Sequence, residues 1–140
     1  GDPYQWQVEN TVSHLVEKLS IKNLNYILSY QSRVGPLKWI GPSTDTIIKQ
    51  EAKKQKIIIV VPVAFVSEHS ETLVELDIEY RKLAEENGSK DYIRVPAVTA
   101  NQHFINSLKS SILLASNGTS FTSSIRCLEK FKKCPRLHNI

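Results

Sequence analysis

Hydrophobic and polar positions along the chain change between helical and strand-like spacing. Apolar side chains recur at helical spacing over residues 3–20, and Pro3 is acceptable in the first turn of a helix. KIIIVVPVAF, residues 56–65, is a nearly continuous apolar run and favours a strand that is buried on both faces of a parallel sheet. The predicted elements are helices over 3–20, 43–55, 70–87 and 101–115, and strands over 25–31, 56–65 and 91–96.

This alternation of helices and strands predicts an α/β fold, with a parallel sheet and helices on both of its faces. Ligands of such folds bind beyond the carboxyl ends of the strands. Two segments follow the first two predicted strands, residues 31–39 and residues 65–71. Since parallel strands end at the same edge of a sheet, we expect the two segments to form one shared site.

The segment EHSETLVELDIEY, residues 68–80, has five carboxylates in thirteen positions around a single histidine. On an α-helical wheel, four of the carboxylates share an arc of about 80°. They are Glu68, Glu71, Glu75 and Glu79. A solvated charged face is the simplest interpretation of this pattern.

Two details favour a functional interpretation of the segment. Glu71 and Glu75 have no basic residue three or four positions away, so each has only other glutamates as its helical neighbours. Each such like-charge pair destabilises a helix by about 0.2–0.5 kcal/mol, which a single lysine on a surface helix would avoid. His69 lies at the start of the helix, at the edge where ligands bind. Crowded carboxylates beside an imidazole can hold or pass protons, and they can bind a divalent metal such as iron.

Composition and charge limit the classes of function. The 140 residues suit one domain with a real core, and no apolar run is long enough to cross a bilayer. Residues 1–115 are neutral, so the net charge of +4 arises in residues 116–140. That basic tail is most simply solvated, and contact with an anionic membrane surface is the leading functional alternative. Nucleic acid is not an expected partner, because no aromatic residues interleave with a basic face.

The ends of the sequence also carry information. The N-terminus has no basic flank and no apolar stretch, so it does not predict a signal peptide. Cys127 and Cys134 do not make a secreted disulfide scaffold, so a reducing, intracellular setting is expected. The chain contains no methionine and starts at Gly-Asp-Pro, from which we expect it to be a fragment of a longer protein.

Five segments in fixed order identify a family resemblance. They are GDPY at the start, QSRVGP and LKWIGPSTD over 31–45, VPVAFVSEHSETLVELDIEY over 61–80, and RVPAVTANQHFINSL over 94–108. Together they resemble the C-terminal half of a ferrochelatase over residues 1–115, which leaves 116–140 as a basic C-terminal extension. The resemblance implies insertion of ferrous iron into protoporphyrin IX to form protohaem, the last step of haem biosynthesis. It also implies one half of a two-domain fold with the porphyrin in the cleft between the domains.

The resemblance assigns roles to individual residues. It implies that Glu71 and His69 form the metal and proton-handling site, and that Glu75 and Glu79 continue an acidic path along the helix. It implies further that five residues line the porphyrin cleft. These are Gln31, Ser32, Gly35, Pro36 and Trp39.

Some features depart from the family's full pattern. An essential histidine of the family lies upstream of GDPY, in the N-terminal half, so we expect this chain alone to be inactive. Cys127 and Cys134 lack the intervening third cysteine of members that hold a [2Fe–2S] cluster, so no cluster and no other tightly bound cofactor is expected. A bacterial, cytoplasmic enzyme at or near the inner membrane is the expected setting. The alternatives are a small cobaltochelatase and a non-enzymatic, flavodoxin-like half-domain that binds a metal or a partner.

Overall fold

A computed structural model describes residues 2–31, 39–118, 128 and 130–132 of the chain. The described residues contain four α-helices, one π-helix and two β-strands. In chain order these are α1 (Tyr4–Leu19), α2 (Thr44–Ala52), β1 (Ile57–Val60), the π-helix (Glu71–Glu79), α3 (Tyr80–Glu86), β2 (Asp91–Arg94) and α4 (Gln102–Ser116). None of the helices within the described ranges is both long and apolar enough to span a membrane.

The two strands form a parallel sheet. Ile57 of β1 lies opposite Asp91 of β2, and the register runs on to Val60 opposite Arg94. The π-helix and α3 connect β1 to β2, as a parallel pair requires. The predicted α/β fold with a parallel sheet is confirmed.

The core lies between the sheet and the pair α2 and α3. Ile48, Ala84 and Tyr92 are buried in it, and Ile58 and Val60 of β1 pack against them. Successive side chains of a strand point to opposite faces, so the remaining residues of β1 face away from this core. On that face Ile57 is 57% and Ile59 is 61% exposed. The predicted burial of this strand on both faces is therefore wrong for the residues that the structure describes.

The strand predicted over 25–31 is reduced to a single bridge. Tyr30 pairs in parallel with Ser43, through Tyr30 N–H to Pro42 O at 2.9 Å and Thr44 N–H to Tyr30 O at 3.2 Å. The pairing cannot extend, because Pro42 has no N–H to donate and α2 begins at Thr44. The run of β-forming residues thus lacks a neighbouring strand within the described ranges.

The helix predicted over 70–87 is two helices of different winding. Residues Glu71–Glu79 form a π-helix, whose end is marked by the hydrogen bond from Tyr80 N–H to Glu75 O. An α-helix continues over Tyr80–Glu86 and stops at Asn87-Gly88, where Gly88 adopts a φ of 89° that favours glycine. The end of the helix was predicted, but the wheel drawn at 100° per residue does not describe its first half.

Candidate functional site

His69 is fixed at the mouth of the π-helix by its backbone and its ring. Its N–H donates to Thr72 Oγ1 at 2.9 Å, and the Thr72 hydroxyl donates back to His69 O at 3.0 Å. Thr72 is fully buried, so this reciprocal pair is held in place. The imidazole packs edge-on against the ring of Phe65, with centroids 4.8 Å apart. The histidine therefore has a defined orientation.

The ring of His69 and the carboxylate of Glu71 form a close pair. Nδ1 of His69 lies 2.6 Å from Oε2 of Glu71, and the Glu71 N–H donates to the same Nδ1 at 3.2 Å. At 2.6 Å an imidazole nitrogen and a carboxylate oxygen are within hydrogen-bonding distance of each other. The two side chains are 34% and 43% exposed, so they remain accessible from outside.

The pKa of Glu71 lies below its ordinary value. Its own backbone N–H is the largest cause, followed by the Ser70 hydroxyl, which donates to Oε2 at 3.1 Å. His69 lowers it further. The carboxylate is thus kept in its charged form, in which it can bind a cation.

Gln31 links the two predicted loop segments. Its Nε2 donates to Glu71 O at 3.1 Å and to Glu75 Oε2 at 2.8 Å. Gln31, the first residue of the segment 31–39, is therefore in contact with Glu71, the last residue of the segment 65–71, and residues 32–38 lie outside the described residues. Glu75 therefore has a hydrogen-bond partner, the side-chain amide of Gln31, which helical spacing could not predict because it lies 44 residues away in the sequence. Glu79 lies four residues after Glu75 in the π-helix, and its side chain is exposed.

Glu68 does not belong with the other three glutamates. Its Oε1 accepts from Arg94 Nη1 at 2.7 Å and from the Ala97 N–H at 2.9 Å. The Thr72 hydroxyl and the Arg94 guanidinium lower the pKa of Glu68 to about 2. Glu68 lies before the helix and pairs with Arg94, so its grouping with the acidic face of the helix is wrong.

Arg94 is the residue that the sequence reasoning missed. It also donates through Nη2 to Asp77 Oδ2 at 2.6 Å, so that one guanidinium joins Glu68 to Asp77. An arginine at the end of a predicted strand was visible in the sequence, but its partners depend on how β2 lies beside the π-helix.

The predicted cleft and metal residues are only partly described. Trp39 is 41% exposed, as a residue that lines an open surface can be. The predicted residues Ser32, Gly35 and Pro36 lie outside the described residues, as do Cys127 and Cys134. Over the described ranges no group of three His, Cys, Asp or Glu side chains is close enough to hold a metal ion. His69 and Glu71 thus offer two ligands, and a cation there would keep most of its positions open.

Comparisons with known proteins agree on one family. The ferrochelatase family model matches residues 1–115. A ferrochelatase of Pelagibacter ubique is 57% identical over 99% of this chain, which covers 41% of that protein. Ferrochelatases of Rickettsia prowazekii and Rickettsia bellii are 46% and 48% identical over 96% of this chain, covering 41% and 40% of those proteins. The chain thus spans about two fifths of the length of the curated relatives that it matches.

Proposed function

The chain belongs to the ferrochelatase family, and we propose that it supplies one wall of a site where ferrous iron is inserted into protoporphyrin IX to form protohaem. The observation that carries this proposal is the pair of His69 and Glu71, 2.6 Å apart at the mouth of the π-helix. The remainder of the proposal follows from what that pair can do chemically.

The first task of the site is to remove protons. Insertion of iron releases two pyrrole protons, and a base beside the macrocycle accelerates such a step. The carboxylate of Glu71 and the imidazole of His69 are the two groups of the described site that would receive such a proton. Gln31 donates to the backbone carbonyl of Glu71 and to the carboxylate of Glu75, so it fixes Glu75 on the same stretch of the π-helix, and a proton would pass from Glu71 towards Glu75. Glu79 continues this path along the π-helix.

The second task is to receive ferrous iron without trapping it. Iron is the substrate of the reaction, so the site must release it to the porphyrin. Two ligands, one nitrogen and one oxygen, hold a divalent metal more weakly than a closed set of four thiolates or imidazoles. His69 and Glu71 therefore suit transient binding during transfer.

The porphyrin would lie against the wall formed by Gln31, Ser32, Gly35, Pro36 and Trp39. The exposed indole of Trp39 offers a flat apolar surface to a flat macrocycle. The facing wall, with a further histidine, would come from an N-terminal domain of the same protein.

The basic residues of 116–140 would contact an anionic membrane surface from the cytoplasmic side. Each basic residue near the lipid would contribute about 1 kcal/mol of binding free energy. Cys127 and Cys134 would remain reduced thiols, so no resident cluster is proposed.

The experiment that tests the function replaces Glu71 by glutamine in the full-length protein that contains this chain. Glutamine keeps the shape but cannot accept a proton as a carboxylate does, so haem formation should fall by about 100-fold or more. Binding of protoporphyrin, followed by quenching of its fluorescence, should stay within a few-fold. Glu85→Gln is the matched control, since Glu85 is an exposed carboxylate of α3 away from the site. Near-normal turnover in Glu71→Gln would remove Glu71 from the mechanism.

A further inference from the structure

We propose that Arg94 is a positioning residue, which fixes the entry of the π-helix against β2 and so holds His69 and Glu71 together. The inference rests on the proposed function only for its kinetic test. Its geometric basis is that the guanidinium of Arg94 bonds both Glu68 and Asp77, which are nine residues apart in the sequence.

The guanidinium of Arg94 is placed between two carboxylates. Nη1 donates to Glu68 at 2.7 Å and Nη2 donates to Asp77 at 2.6 Å. The Arg94 side chain is only 7% exposed, whereas those of its partners are 25% and 31% exposed. Arg94 is therefore the central and most enclosed member of the group. The Ala97 N–H adds a bond of 2.9 Å to the same oxygen of Glu68.

The two carboxylates belong to different parts of the segment. Glu68 lies in the loop two residues before the helix N-cap, Ser70, and Asp77 lies within the π-helix. One guanidinium that bonds both of them therefore ties the loop before the helix to the interior of the helix.

The same interval contains the reacting pair. Glu68 immediately precedes His69, and Glu71 is the first residue of the π-helix. If the loop before the helix moved, Glu68 would lose its bonds to Arg94 and to the Ala97 N–H, and His69 is the next residue. Arg94 thus holds the entry of the π-helix in place, and with it the 2.6 Å approach of His69 Nδ1 to Glu71 Oε2.

The other cation near Asp77 does not replace Arg94. Arg81 lies 3.7 Å from Asp77 Oδ1, but its Nη1 donates to Tyr92 O at 2.7 Å. It belongs to α3 and makes no described contact with Glu68. Among the described cations, Arg94, at the carboxyl end of β2, is the one that bonds both Glu68, before the π-helix, and Asp77, within it.

The test compares Arg94→Lys and Arg94→Met with a control in the full-length protein. Lysine keeps the charge but has no planar fork, so it cannot bind the two carboxylates in the same geometry. Ser89→Ala is the control, because it removes hydrogen bonds at the other end of β2, to Lys56 O at 2.8 Å and Asp91 O at 2.7 Å. All three variants are expected to lose stability, and only the two Arg94 variants should disturb the pair.

Two readouts separate positioning from mere stabilisation. We expect kcat for iron insertion to fall about tenfold or more in both Arg94 variants, with KM for porphyrin within twofold, because a small misplacement of reacting groups lowers the rate steeply. In protein labelled with ¹⁵N-histidine, the proton shared by His69 Nδ1 and Glu71 should give a resonance in the wild type and in Ser89→Ala. That resonance should be lost in Arg94→Met.

Arg94 variants that keep wild-type kcat and the shared-proton resonance, even at reduced stability, would overturn the proposal. If Arg94→Met does not fold, Arg94→Lys and Asp77→Asn give the same comparison, and both should weaken the resonance. If the wild type forms no haem, the function is wrong, but the resonance still decides whether Arg94 holds the pair.

Discussion

Tyr92 joins the sheet to the π-helix, and its replacement by phenylalanine gives a prediction with a defined dependence on pH. Tyr92 lies in β2 and is 2% exposed. Its hydroxyl donates to Leu76 O, within the π-helix, at 2.6 Å. Phenylalanine fills the same space but leaves this buried carbonyl without that donor. At pH 7 the variant should therefore be less stable by about 1–2 kcal/mol.

The alkaline behaviour of the same pair follows from the pKa of the phenol. Burial is the main cause that raises the pKa of Tyr92 from 10.0 to about 12. The folded state thus holds this proton more tightly than the unfolded state does. The resulting stability is fully present below pH 10 and is lost as the pH rises to about 12. Two pKa units correspond to about 2.7 kcal/mol in all, and about half of it is lost by pH 11.

The lost hydrogen bond and the raised pKa of Tyr92 together predict that the free energies of unfolding of the wild type and of Tyr92→Phe converge as the pH rises. The advantage of the wild type at pH 7 should disappear near pH 11, and Tyr92→Phe should be the more stable protein at about pH 12. Urea unfolding followed by circular dichroism at pH 7, 9 and 11 measures the difference. The other tyrosines and the lysines titrate in both proteins, so their contributions cancel. A difference that stays constant from pH 7 to pH 11 would show that the phenol is not buried against the Leu76 carbonyl.

Two further substitutions test other parts of the structure. Gln31→Ala removes the bonds to Glu71 O and to Glu75, so iron insertion should fall several-fold while the free energy of unfolding changes by about 1 kcal/mol. Unchanged turnover would show that the amide does not hold Glu75 in place. Gly88→Ala introduces a side chain at a φ of 89°, so it should destabilise the folded chain by about 1 kcal/mol without changing kcat. An equal or greater melting temperature in that variant would contradict the backbone argument.

The sequence predicts the elements of this fold better than their burial or winding. The bounds of α1 and α4 follow from periodic apolar residues and from local signals such as Asn101, whose side chain accepts from the His103 N–H. Residues 25–31 have the composition of a strand, yet only Tyr30 pairs, because pairing depends on a neighbour that composition does not encode. The exposed face of β1 shows the same limit, since an apolar run does not specify what covers it.

In the site, contacts between residues close in the sequence could be predicted, and contacts between distant residues could not. The pair of His69 and Glu71 is two residues apart, so the sequence could place the two side chains together. The partners of Glu75 and Glu68 come from Gln31 and Arg94, which lie 44 and 26 residues away. No helical wheel includes such partners, and a wheel at 100° per residue also assigns the wrong face to a π-helix. The error over Glu68 arises because its partner Arg94 is distant in sequence and because Glu68 lies before the helix rather than in it.

The measurement that tests the central claim most directly is haem formation by the full-length protein that contains this chain. Ferrous iron and protoporphyrin IX are mixed with it without oxygen, and the haem spectrum is followed against a sample without protein. The account predicts catalysed appearance of protohaem. Bound porphyrin with no haem above the sample without protein would contradict the account.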